Sequence, residues 1–231
     1  MPGMSDYSAE NWLAYIVGKT SMPATPTAYV ALLTAAFTSD AGTGGTEVTG
    51  GAYARVATSG GTWNAASGSS GTEPATTPAG ISNAGTISFT TATANWGTVV
   101  AFALYDASGS GNLLAWDYLG NYAWQPATIA SGSPATFTLP NHGFSNGTSV
   151  VVTDKYGGTL PTATQGSFAG TLTVENVTTN TFSLQTSGAT AINTTTLGEC
   201  QVRQISTQSI QSGVQASFTG GSPGQLVLTA A

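Results

Sequence analysis

Val99-Val-Ala-Phe-Ala-Leu-Tyr105-Asp106-Ala-Ser-Gly-Ser-Gly-Asn112-Leu113-Leu-Ala-Trp-Asp-Tyr-Leu119 is the stretch that decides the fold. Two runs rich in Val, Leu, Phe, Tyr and Trp flank seven small or turn-forming residues at 106–112, the pattern of a β-hairpin. Working outward, the same punctuation recurs. Residues 29–37 read as an apolar strand, 53–58 as a second and 81–89 as a third, with Trp96-Gly97 at the entry to the strand 99–105. The Gly/Thr-rich residues 40–51 and the polar residues 67–80 read as loops between them. The fold class is therefore all-β, and these strands are expected to form one β-sandwich.

One segment departs from this pattern. Residues 7–17 are predicted to be a short N-terminal helix: Ser5 can cap it, Asp6 and Glu10 suit its positive end, and Gly18-Lys19 supplies the stop. Pro23 and Pro26 prevent continuation. Trp12, Leu13, Ile16 and Val17 fall on one stripe at helical spacing, so the helix should pack against something. The protein's own core is the first expectation, and docking on a partner is the alternative.

After Trp124 the pattern changes. Phe137-Thr-Leu139 alternates, and residues 141–147 lead into an apolar run at 150–153, with Asn146-Gly147 the strongest hairpin signal in the chain. Leu172 with Val174, and Phe182 with Leu184, alternate between turn residues. This reads as a second, smaller β-barrel or sandwich. Residues 208–228 then resume the earlier style through Ile210, Val214, Phe218, Leu226, Val227 and Leu228. Residues 126–203 are thus predicted to be a module inserted into a discontinuous domain of residues 1–125 plus 204–231.

Charge is scarce. Only 6% of the 231 residues are charged, against roughly a quarter in an ordinary soluble domain. Ten carboxylates, four cations, one His and one Cys leave little for acid/base or nucleophilic chemistry. His142 has no G-x-S-x-G elbow or similar signature beside it, and reads as a turn histidine bonding a backbone carbonyl. A hydrolase would need a hidden carboxylate pair such as Asp106 with Asp117. No catalytic residue is assigned, and the chain is not expected to be an enzyme.

Metals and cofactors fare no better. Asp40 and Glu47 share a glycine-rich loop but do not make a calcium loop, and one His with Cys200 cannot complete a zinc site. Residues 42–45 and 68–71 do not join a strand to a helix, so they read as flexible loop tips rather than phosphate cradles. Lys19, Arg55, Lys155 and Arg203 are scattered in a chain of net charge −6, which argues against nucleic-acid binding. Cys200 is expected to be buried and inert. No apolar run is long enough for a membrane span, and the mature chain is expected to start near Met1.

Aromatic side chains are the remaining resource. Trp63, Trp96, Trp116, Tyr118, Tyr122 and Trp124 could stack on sugar rings, although Trp116 and Tyr118, alternating on one strand, fit a sandwich core equally well. Gly120 and Asn121 mark a turn that should expose residues 118–126. The candidate interaction residues are therefore Trp12 and Ile16 on the helix, Tyr118, Tyr122 and Trp124 at this turn, and His142 and Phe144 in a loop of the insert.

Several stretches together resemble a known family. Tyr29-Val-Ala-Leu-Leu-Thr, the run from Asp40 through Glu47 and Tyr53 to Arg55, Ala92-Thr-Ala-Asn-Trp96-Gly-Thr-Val-Val, and Leu104-Tyr-Asp106 through Asn112-Leu-Leu resemble small bacteriophage virion proteins described as tail-fibre-like, over roughly residues 5–120. That family closes with a segment like Ser209 to Phe218 and Leu226-Val-Leu-Thr, which supports the insertion. The insert, through Phe137-Thr-Leu-Pro-Asn-His142-Gly-Phe-Ser-Asn146-Gly, Leu160-Pro161 and Thr181-Phe182-Ser-Leu, is similar to a small β module of phage tail and baseplate proteins.

The resemblance implies a non-enzymatic, multi-copy virion component that is tail-associated or fibre-like. A capsid decoration (cement) protein and a host receptor- or glycan-binding module are the alternatives. The expected partners are other virion proteins and further copies of the chain, a trimer first, with host-surface glycan as a further ligand.

Overall fold

The computed structural model describes residues 3–21, 27–66, 80–120, 122–155, 158–222 and 225–229. Pro23, Pro26, the glycine-rich stretch 68–71 and Asn121 lie outside the described residues. The chain divides into two compact units, Met1–Leu119 with Thr207–Ala231, and Gly120–Ser206.

The first unit opens with β1 (Gly3–Met4) and α1 (Asp6–Ile16). It continues through β2 (Ala28–Ala35), β3 (Thr46–Glu47), β4 (Val56–Thr58), β5 (Gly80–Ser82), β6 (Ile87–Thr91), β7 (Gly97–Val99), β8 (Ala101–Tyr105) and β9 (Leu113–Tyr118). Six of these form one sheet, in the order β1-β9-β8-β2-β3 with β4 also on β2. The hairpin quoted at the outset is β8–β9, with Ala101 opposite Tyr118 and Tyr105 opposite Leu113.

The second unit contains β10 (Gln125–Ala130), β11 (Thr136–Thr138), β12 (Ser149–Asp154), β13 (Ala163–Gln165), β14 (Leu172–Glu175), β15 (Thr181–Thr186), β16 (Asn193–Thr194) and β17 (Gly198–Gln204). Six of them close a barrel, β10-β11-β15-β14-β12-β17, while β13 and β16 pair separately. Alternation fills its core: Phe137, Leu172, Val174, Phe182 and Leu184 point inward, and the Phe137 and Phe182 rings stack at 5.4 Å. The chain enters and leaves on neighbouring antiparallel strands, with Gln125 of β10 opposite Val202 of β17.

The last segment returns to the first unit as β18 (Gln208–Ile210), β19 (Gln215–Phe218) and β20 (Val227–Thr229). These pair with β7, β6 and β5 respectively, as three two-stranded ladders. Sheet residues Val30, Leu32, Phe102 and Leu104 meet ladder residues Ile87, Phe89, Val99 and Ile210 in one apolar cluster.

Four sequence expectations are corrected. The strand expected over 81–89 is two strands, because buried Asn83 turns the chain and spends its amide on the carbonyls of Gly85, Phe218 and Thr219. The strand 99–105 begins earlier and breaks at Val100, where the chain changes partner from β18 to β2. Asn146-Gly147 does make a tight turn, with Thr148 N–H donating to Ser145 O, but β11 and β12 on either side of it pair with other strands. The glycine-rich loop 40–51 contains β3, and Gly45 is no free tip: a Cβ there would lie 2.3 Å from the Phe37 ring.

Candidate interaction surface

The scarce charges are largely engaged within the fold. Arg55 donates from Nε to Glu47 Oε1 at 3.0 Å and from Nη2 to Glu47 Oε2 at 2.8 Å, and from Nη1 to the carbonyls of Ala107 and Ser110. Its guanidinium carbon lies 3.5 Å from the Tyr105 ring centroid. Tyr53 Oη donates to Glu47 Oε1 and accepts from Leu32 N–H. This ties the β3 loop, β4 and the β8–β9 turn to one another.

Burial pushes the Tyr53 phenol far above its ordinary range, with Glu47 adding to the shift. It also raises Tyr105, against the pull of the Arg55 charge. Arg55 is lowered by burial, but its bonds to Glu47 outweigh this and hold it protonated.

Asp106, Asp117 and Asp40 each have partners within the first unit. Asp106 accepts from the backbone and side-chain amides of Asn112 at 2.7 and 2.8 Å and closes the hairpin turn. Asp117 sits on β9 opposite Phe102 and accepts from Tyr118 N–H. Asp40 accepts from the Trp116 indole at 3.3 Å. Among the described residues no three His, Cys, Asp or Glu side chains gather where they could hold a metal.

The N-terminal segment is different. Ser5 is buried and anchors α1: its hydroxyl accepts from Ser8 N–H and donates to Leu113 O, and its N–H donates to Leu114 O. Gly18, at φ 71°, ends the helix, and Lys19 N–H returns to Ala14 O. No helix residue is buried, which corrects the first expectation for its apolar stripe. Leu13, Ile16 and Val17 are 62%, 59% and 74% exposed, and Trp12 is 47%.

Seven of the ten exposed large hydrophobic side chains among the described residues lie between Met4 and Val17, so the exposure is concentrated on the N-terminal segment. At its base an open pocket of about 300 Å³ is lined by Ser5, Tyr7, Phe37, Asp40, Tyr105 and Leu113. Met4, Tyr7, Leu13, Tyr15 and Val17 thus join Trp12 and Ile16. For Leu13 and Val17 the sequence signal is the helical stripe itself, whereas Met4 precedes the helix and Tyr7 and Tyr15 lie off that stripe.

The six-ring carbohydrate surface does not form. Trp116 and Trp96 are buried, the first edge-on to Phe37 and the second donating to Gly51 O. Trp63 is half-buried and donates to Thr58 Oγ1, and Tyr118 is half-buried against Trp116 at 5.5 Å. Trp124 is half-buried, with the Arg203 guanidinium 6.0 Å from its ring centroid. Of these rings only Tyr122 is exposed.

His142 and Phe144 are packed into the barrel core rather than presented on a loop surface. The reason is local. Phe144 N–H donates to His142 Nδ1 at 3.0 Å, across Gly143 at φ 69°, and both rings pack on Phe182. The imidazole therefore accepts from a backbone amide and does not donate to a carbonyl through that nitrogen. Cys200 is fully buried, and burial raises its thiol to about 12.

A family model described as Podophage GP4 fiber I protein gp80 matches residues 3–145, more than half of the chain. The matched span starts at β1, takes in α1 and all strands through β9, and ends inside the barrel unit before β12. No curated protein matches the chain.

Proposed function

We propose, because this chain belongs to the Podophage GP4 fiber I protein family, that it is a non-enzymatic, multi-copy component of the particle surface, tail-associated and fibre-like. The observation that carries this reading is the α1 patch. A monomeric protein seldom leaves so many large apolar side chains of one short segment in water, whereas a part destined for an assembly covers them on docking. In that role the ladder strands serve as the second layer of a sandwich over the six-stranded sheet, and the internally paired charges leave a neutral, hydroxyl-rich surface suited to close neighbours.

Labelling intact particles with antibody against the chain tests the reading. Label on the tail fibres supports it. Label spread over the head would favour the decoration alternative, and absence of the chain from purified particles would remove the structural role. A host-glycan contact has narrower support, from exposed Tyr122 beside half-buried Trp124. Unchanged adsorption by a Tyr122→Ala variant would argue against it.

A further inference from the structure

We propose that the open pocket beside the first turn of α1 binds a single neutral sugar ring. Its walls come from three segments of the first unit: Tyr7 on α1, Phe37 and Asp40 in the loop after β2, and Tyr105, Asn112 and Leu113 at the ends of the β8–β9 hairpin. The fold ties these segments together. Asp6 N–H donates to Asp40 O at 3.1 Å, and Ser5 N–H donates to Leu114 O at 3.0 Å. Gly42, at φ 79°, lets its loop close on β9, since a Cβ there would lie 3.2 Å from Leu113 Cδ2.

The lining selects its ligand by exclusion. None of the chain's four cations lines the pocket and Asp40 contributes a carboxylate, so an anion is disfavoured. An aliphatic side chain would cover Asp40 and Asn112 without offering either a hydrogen-bond donor. A pyranose meets both halves of the lining, with C–H faces for the aromatic rings and hydroxyls for the polar groups. Asn112 spends Nδ2 on Asp106, which leaves Oδ1 to accept. The Asp40 carboxylate takes the Trp116 indole at 3.3 Å and has acceptor sites beyond that one. A volume of about 300 Å³ is at the low end for ligand pockets, room for one ring rather than a chain. A lysine ammonium from a neighbouring subunit would satisfy Asp40 alone, and it is the rival occupant.

Saturation-transfer difference NMR on the full-length chain tests the site, with free D-glucose, D-galactose, D-mannose, L-rhamnose and N-acetylglucosamine as probes. At least one should receive saturation through its ring protons at millimolar concentration. Tyr7→Ala removes a wall and Asp40→Asn removes the charged acceptor, and each should weaken that binding about tenfold. Tyr7 is 42% exposed, so Tyr7→Ala should keep its far-ultraviolet spectrum and melting, and it decides the matter if Asp40→Asn fails to fold. Tyr122→Ala, in the other unit, should bind as the parent does.

Silence across the whole panel, binding that survives Tyr7→Ala, or binding lost only in Tyr122→Ala would overturn the inference. Saturation of n-butylammonium, standing for a lysine side chain, with every sugar silent would overturn it in favour of a docked lysine. A particle component whose pocket takes no sugar would sink this inference alone. A sugar-binding chain absent from purified particles would sink the structural reading alone.

Discussion

Arg55 closes on Glu47 with Nη2 2.8 Å from Oε2, the two side chains only 10% and 23% exposed. Because the same guanidinium also holds the Ala107 and Ser110 carbonyls, Arg55→Ala leaves a carboxylate and two backbone acceptors short of partners. The expected loss is about 2–3 kcal/mol in urea unfolding. Arg55→Lys should recover only part of it, since an ammonium cannot reproduce the fork. Full stability in Arg55→Ala would show that the pin is dispensable.

Asn83 ties the returning C-terminal segment to the turn between β5 and β6. Its Nδ2 reaches the Gly85, Phe218 and Thr219 carbonyls, and its Oδ1 accepts from Leu226 N–H at 2.8 Å. Asn83→Ala strands these groups in a fully buried site and should cost about 2–4 kcal/mol. Hydrogen exchange should locate the loosening in β5, β19 and β20 rather than in the barrel.

Cys200 makes an alkaline prediction. Its thiol rises from an ordinary 9.0 to about 12, so above pH 9 the unfolded chain loses this proton while the folded chain keeps it. The stabilisation is complete below pH 9 and drains away between 9 and 12, at about 1.4 kcal/mol per pH unit. Tyr53 and Tyr105, also raised by burial, add to the decline above pH 10. Urea midpoints across this range should fall steeply, and less steeply in Cys200→Ala. At neutral pH a thiol reagent should label Cys200 only after unfolding.

Gly45 and Gly109 separate packing from loop freedom. Gly45→Ala would drive a methyl into the Phe37 ring and should cost about 1–3 kcal/mol. Gly109→Ala meets nothing within 4 Å and should be close to neutral. Equal melting temperatures for the two variants would refute the packed-loop description.

The barrel has its own closed ladder and its own core, so residues 120–206 expressed alone should fold and unfold cooperatively. A fragment without near-ultraviolet signal would contradict this.

Legibility followed the range of the interactions. The β8–β9 hairpin, the Ser5 cap and the alternation of Leu172 with Val174 and Phe182 with Leu184 are local patterns, and the sequence displays them directly. Asn83 looked like an ordinary strand residue because its partners lie at 218, 219 and 226, which no local window sees. His142 and Phe144 looked like loop residues because only Phe182, nearly forty positions on, shows that they face the barrel core. The stripe on α1 was visible, yet amphipathicity is the same whether its partner is the protein's own core or another chain. Only the exposure of Leu13, Ile16 and Val17 distinguishes these outcomes.

A cryo-electron microscopy map of the intact phage tests the central claim most directly. The account expects the chain in several copies on the tail fibres, with Trp12, Leu13 and Ile16 of α1 covered by a neighbouring subunit of the particle. Density for the chain on the capsid lattice, or α1 facing solvent in every copy, would contradict it.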